Sequence, residues 1–169
     1  MRPQQKKRMD IKATRTEWKE YPKGKAGIVF CKTCNAVYYK KAWHHNLRYH
    51  KNLREDIAVS FMECPACLAI KNNEYEGKII INNVPKNITE HLENLVHAFT
   101  HRAFQKDPMD RLIAVKKTGA RMEITTTENQ LAVKLAKKIE DVFKKTVARI
   151  AYSHSNKDKA VDIVMEFRA

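Results

Sequence analysis

The sequence predicts an α+β protein: a four-cysteine zinc ribbon or treble-clef-like module followed by a β-α-β-β-α-β-β sandwich domain. Three observations carry this. All four cysteines fall in two C-x-x-C pairs. From residue 77 onward, runs of alternating apolar residues are interleaved with two runs whose apolar residues recur every three to four positions. The charge is also uneven. Residues 1–54 hold 15 Lys/Arg against Asp10, Glu17 and Glu20, a net +12, whereas residues 55–169 hold 18 against 16 Asp/Glu, a net +2.

Residues 1–25 read as a flexible basic arm, polar and without an apolar period, with Pro3, Pro22 and Gly24 as punctuation. Trp18 and Tyr21 are its exceptions and are candidates to dock on the adjoining domain. The arm lacks the apolar stretch of a secretory signal. No run of about 18 apolar residues occurs anywhere, so no membrane helix is expected and the expected location is cytoplasmic.

Residues 26–76 form the second segment, expected to be the metal-binding module. AGIVF (26–30) reads as a short strand leading into Cys31. The stretch KKAWHHNLRYHKNLRED has Trp43, Leu47 and Leu53 weakly near helical spacing, so either a helix or an ordered loop fits it.

Residues 77–169 form the third segment, the α+β domain. KIIIN (78–82) is a strand candidate. Ile88, Leu92, Leu95, Val96, Phe99 and Ala103 mark an amphipathic helix over 88–105, with Thr89 placed to cap its first turn. RLIAVKK (111–117) and RMEITTT (121–127) form a hairpin around Thr118-Gly119-Ala120. Leu131, Leu135, Ile139, Val142 and Phe143 mark a second helix over about 128–144, for which Thr127 and Gln130 fit a capping box. TVARIAYS (146–153) and AVDIVMEF (160–167) close the domain as strands around the turn HSNKDK. Helices on one face of a mostly antiparallel sheet, in a ferredoxin-like split βαβ arrangement, satisfy this order.

The cysteine spacing points to a metal. Cys31 and Cys34, then Cys64 and Cys67, each aim two thiolates at one point, and two such turns complete a closed tetrahedral site. Structural Zn²⁺ suits it best. An iron–sulfur cluster would accept the same four thiolates. Disulfides need an oxidising compartment, and a redox pair needs only one C-x-x-C. His44, His45 and His50 lie between the pairs and are alternative ligands. His97 and His101, at i and i+4 with His91 one turn away, read as an exposed polar helix face.

Cations and aromatic residues cluster around the first cysteine pair. Lys32, Lys40, Lys41, Arg48, Lys51 and Arg54 are interleaved with Tyr38, Tyr39, Trp43 and Tyr49. Cations neutralise phosphates, and exposed rings stack on unpaired bases. These residues, except Trp43 and Tyr49, are the nucleic-acid-binding candidates, Trp43 being expected beside the metal as core. Lys116, Lys117 and Arg121 at the hairpin tip form a second basic candidate. No Gly-rich phosphate loop and no nucleophile motif occurs, so no enzyme activity and no small-molecule substrate is expected.

CPAC followed by NNEYEGKIIINNVPKNITEHLENLV resembles a segment of the archaeal and eukaryotic large-ribosomal-subunit export adaptors, nonsense-mediated-decay-type proteins with N-terminal zinc modules. ITTTENQLAVKLAKKI is similar to that family's strand followed by a helix. The chain is also similar to short bacterial zinc-ribbon proteins that share the C-x-x-C, aromatic and Lys/Arg-x-Trp start (Cys31 to Trp43), a second CPxC (Cys64 to Cys67) and an ITTT-x-x-x-LA helix start (Ile124 to Ala132). The resemblance spans about residues 28–168. It implies a structural zinc and association with ribosomal RNA or the ribosome. The export adaptors carry further zinc-ligand cysteines and C-terminal domains that this sequence lacks, so the resemblance extends to binding and not to transport. A DNA-binding regulator, or an adaptor that uses the α+β domain to bind protein, would account for the same composition.

Overall fold

The computed structural model describes residues 27–50, 57–144, 146–152 and 160–168. The expected arm over 1–25, Lys51, Arg54 and the turn at 154–159 lie outside the described residues. The fold is α+β, with two mixed sheets and three helices among the described residues.

The larger sheet grows from residues 77–167. Strands β5 (Gly77–Asn82), β6 (Leu112–Thr118), β7 (Arg121–Thr126), β8 (Thr146–Tyr152) and β9 (Val161–Phe167) lie in the order β6-β7-β5-β9-β8. Alternation decides which face is buried: Ile79 and Ile81 of β5, Met122 and Ile124 of β7, and Val161, Ile163 and Met165 of β9 all turn to one side. Two helices cover that side. Helix α2 (Thr89–Lys106), entered through a 3₁₀ turn at Lys86–Ile88, buries Leu92, Val96 and Thr100, one residue per turn. Helix α3 (Asn129–Val142) buries Leu131, Ala132, Leu135, Ala136 and Ile139. Each fully buried Leu or Ile contributes about 1.5–3 kcal/mol relative to leaving it exposed.

The sheet order adds a feature that periodicity does not reveal. A four-stranded split βαβ sheet places the strand after the second helix beside the first strand. Here β9 takes that place, parallel to β5 from Gly77↔Val161 to Asn82↔Glu166, and β8 moves to the edge, antiparallel to β9.

The helix caps also differ from expectation. Ile88 precedes α2 without a side-chain cap, and the Thr89 hydroxyl donates to the Pro85 carbonyl instead. Glu128 precedes α3, likewise without a side-chain cap. The Thr127 hydroxyl is engaged by the backbone of Met109 and Arg111.

The smaller sheet comprises β1 (Gly27–Cys31), β2 (Val37–Tyr39), β3 (Ala42–His44) and β4 (Ala58–Met62) in the order β3-β2-β1-β4, with β4 parallel to β1. The segment that fitted either a helix or a loop thus begins as strand β3 and continues through residues 45–50 without regular structure. Helix α1 (Pro65–Asn72) comes after β4. It begins with Pro65, which needs no intrahelical N–H partner there, and ends at Asn73 in the left-handed region (φ 53°).

Gly77 sits where the backbone of β5 passes closest to α3. A Cβ there would overlap the Thr126 hydroxyl and the Ala132 methyl, and would lie 3.0 Å from the Glu128 carbonyl oxygen. Gly77→Ala is therefore expected to destabilise the domain by about 1–3 kcal/mol, measured as a lower urea midpoint with an unchanged slope.

Candidate metal centre

Each cysteine pair is presented by a different local device. Cys31 ends β1, and the chain then turns tightly. The Cys31 amide donates to the Ala36 carbonyl (2.7 Å), the Asn35 amide donates to the Cys31 carbonyl (3.1 Å), and Asn35 takes a left-handed φ of 60°. That reversal brings Cys34 back beside Cys31. The second pair lies at the start of α1. Cys64 is the N-cap, and its sulfur accepts from the Cys67 amide at 3.4 Å. The Cys64 amide in turn points at the Cys31 sulfur, 3.3 Å away.

The four sulfurs lie within 4.8 Å of one another, and Cys31, Cys64 and Cys67 are buried. Sγ of Cys34 is 3.7 Å from Sγ of Cys64. A tetrahedral thiolate centre with metal–sulfur bonds of about 2.3 Å has sulfur–sulfur edges of about 3.8 Å. The spacing therefore fits a metal ion, and it far exceeds the roughly 2.05 Å of a disulfide. The cluster takes in no other His, Cys, Asp or Glu among the described residues.

The three histidines beside it have other contacts. His44 Nε2 lies 3.2 Å from the Tyr39 carbonyl. His45 Nε2 meets the Phe104 carbonyl. The His50 ring packs edge-on against Tyr39 and His44. On α2, His91, His97 and His101 are all exposed, as expected of a polar helix face.

The electrostatics divide the thiols. Burial disfavours the Cys31 thiolate, but the amides of Cys34, Cys64 and Thr33 outweigh it and bring the thiol down to about 6. Burial pushes Cys67 up to about 11, with the Cys34 and Cys31 sulfurs adding to the effect and the Cys64 sulfur opposing it, and burial raises Cys64 as well. Four thiolates at this spacing would repel one another, so without a cation Cys64 and Cys67 keep their protons, and a bound cation would let all four ionise.

The module is docked on the α+β domain through residues that the sequence leaves as ordinary strand and loop. The Arg111 guanidinium lies over the Phe104 ring (4.7 Å to the centroid), and its Nη1 is 3.9 Å from the Cys67 sulfur. The His45 ring meets Phe104 edge-on, with centroids 4.8 Å apart. Met109 packs against the cysteine cluster. Thr127 holds this corner: its hydroxyl accepts from the Arg111 amide (2.8 Å) and donates to the Met109 carbonyl (2.6 Å). The hydroxyl expected to cap α3 is therefore used to place Arg111 and Met109. No local signal marks Arg111, because its sulfur partner is 44 residues away in sequence.

The expected nucleic-acid residues fall in two places. Lys32, Lys40, Lys41 and Arg48 are exposed on the metal module, with Tyr38 and Tyr39 half-buried among them. Trp43 packs against the cysteine cluster, its ring 5.3 Å from that of Tyr38. Lys116 and Lys117 lie near the far end of the seven-residue strand β6, about 20 Å along the strand from Arg111, and Arg121 opens β7 opposite Thr118. Two of these three are paired: Lys117 with Glu93 at 2.6 Å, which holds that carboxyl below its ordinary range, and Arg121 with Glu123 at 3.7 Å.

No protein-family model matches the chain, and no curated protein matches it. No helix among the described residues is long and apolar enough to cross a membrane.

Metal uptake must displace the protons that Cys64 and Cys67 hold at neutral pH. Affinity should therefore rise with pH, about tenfold per unit for each proton released. Chelator competition at pH 6, 7 and 8 measures this, and a pH-independent affinity would contradict the four-thiolate site.

Proposed function

We propose that this chain is a non-enzymatic zinc protein that binds RNA, and that the RNA is ribosomal. Four thiolates at tetrahedral spacing with no further ligand describe a closed site, and zinc accepts that geometry without redox chemistry. A tight cysteine turn, a β-hairpin and a helix carrying the second pair support the treble-clef-like reading of the module. When bound, the metal would neutralise the thiolates and fix the two turns together. The residues with a function to test are those around it.

The observation that carries the RNA reading is the unbroken sign of the charge over the N-terminal part of this module and the residues leading into it. From Tyr21 to Arg54 the sequence contains eight Lys/Arg and no Asp or Glu. Among the described residues, no carboxylate pairs with Lys32, Lys40, Lys41 or Arg48, whereas Lys71 of α1, which meets Glu63, and Lys78, Lys117 and Arg121 of the larger domain are paired. A polyanion supplies the missing counter-charge.

The backbone adds a second support. Tyr39↔Ala42 closes a two-residue hairpin whose tip is Lys40 (φ 49°) and Lys41 (φ 67°). Such a turn favours Asn-Gly, because left-handed backbone costs a residue with a long side chain about 1 kcal/mol or more. Two lysines held there at that cost present two ammonium groups at the extreme tip. The resemblance to ribosomal export adaptors and short zinc-ribbon proteins agrees with this reading and directs it toward the ribosome.

The experiment is sedimentation with ribosomes from native lysate at low and moderate salt, followed by titration of purified ribosomal RNA. Binding should weaken steeply with salt, and affinity that is absent or flat would sink the proposal. The double variant Lys40→Asn, Lys41→Gly should melt higher than the parent. Its plot of log Kd against log salt should be shallower by about one unit per lysine removed. Metal analysis should return one zinc per chain, and a cobalt-substituted sample should have the spectrum of four sulfur ligands.

A further inference from the structure

Tyr49 is the most exposed large apolar side chain among the described residues, at 93% of its full accessible surface. The other described aromatic rings of the metal module have partners. Phe30 stacks on Phe61, Tyr38 packs at a tilt against Trp43, and Tyr39 meets His50 edge-on. A tyrosine exposed to this degree gains nothing from the core, and its position in the charge pattern is informative. Arg48 precedes it and is exposed. His50 follows it and joins the Tyr39 ring at 5.2 Å, while the Lys40 ammonium sits 5.4 Å from the centroid of that same ring. Contacts thus run from the strained Lys40–Lys41 tip through Tyr39 to His50, and the exposed Tyr49 stands in the chain between His50 and the exposed cation Arg48.

We infer that these residues bind unpaired RNA, with Tyr49 as the platform on which a base stacks while Lys40, Lys41 and Arg48 hold the flanking phosphates. The inference rests on the proposed RNA binding and narrows it. Cations alone would hold any polyanion, duplex included. A ring has a partner only where a base is free of its own stack, because in an A-form helix the base faces are covered and the grooves offer phosphates and 2′-hydroxyls. Among the described residues, the larger sheet does not supply such a platform. Its open face there carries Lys78, Ile80, Glu123, Val164 and Glu166, with Lys78 paired to Glu123. Tyr75, just before β5, already has the Lys78 ammonium over its ring at 5.6 Å.

The test is fluorescence anisotropy of the full zinc-loaded chain with two labelled RNAs of equal nucleotide number, one single-stranded and one a perfect duplex. Tyr49→Ala and Tyr49→Phe are compared with the parent. Tyr49→Ala should weaken single-strand binding at least ~fivefold and change duplex binding less than about twofold. Tyr49→Phe should keep the parent affinity, and the salt slope should be the same in all three, because no cation is removed. The zinc content of each variant checks that the module is intact. An alanine variant that binds the single strand as the parent does, or that loses both RNAs equally, overturns the stacking role while leaving the polyanion reading in place. A parent that binds neither RNA overturns both.

Discussion

Four sulfurs brought to one point set the terms for the first half of the molecule. The metal module has a very small interior: its central cluster is Cys31, Ala36, Cys64, Ala66 and Cys67, with Cys34, Trp43 and Met109 packed around them. So few side chains cannot offset the chain entropy of ordering the two turns, the hairpin and α1. The cysteines also oppose one another, since their thiolates repel and two of their thiols hold their protons by burial. A bound cation would reverse the sign of that contribution, turning the least favourable part of the module into its core. The Lys40–Lys41 tip projects from strands β2 and β3 of this module.

The docking corner links this centre to the larger domain. Thr127, one residue past β7, fixes Met109 and Arg111 by its hydroxyl, and these two reach the cysteine cluster with an apolar and a cationic contact. A guanidinium beside a thiolate site of net negative charge is complementary in sign. The threonine-rich end of β7 thus has a structural use that concerns the metal module as much as the helix after it.

Residue order revealed the larger domain well, because its elements are long enough for period to speak. The helices expected over 88–105 and 128–144 are observed at Thr89–Lys106 and Asn129–Val142, and the hairpin turns at Gly119, whose φ of 59° suits the first central position of its turn. The four cysteines were legible for a different reason: spacing alone makes each pair converge. What could not be read is long-range or too short to have a period. Strands β2 and β3 have three residues each, and α1 owes its start to Cys64 and Pro65, of which the cysteine reads in sequence only as a metal ligand. The caps were misread because a hydroxyl before a helix has several partners within reach, and Thr127 met Arg111 first. Arg111, Met109 and the Phe104–His45 contact arise from packing between elements, which no local pattern encodes.

The place of β9 has a consequence for how the chain is made. The hairpin β6-β7 and strand β5 can pair as soon as residues through Thr126 have emerged, but one edge of β5 then stays open. Strand β9 closes it and also holds β8, so the centre of the sheet waits for residues 161–167. On a translating ribosome those residues leave the exit tunnel after the rest of the domain. Until they do, the open edge of Ile79 and Ile81 is a site for mispairing with other strands. The metal module has all four of its cysteines by Cys67, long before β9, although Met109 and Arg111 join it later. Its fold, and its basic surface, can form while the domain behind it is still being synthesised.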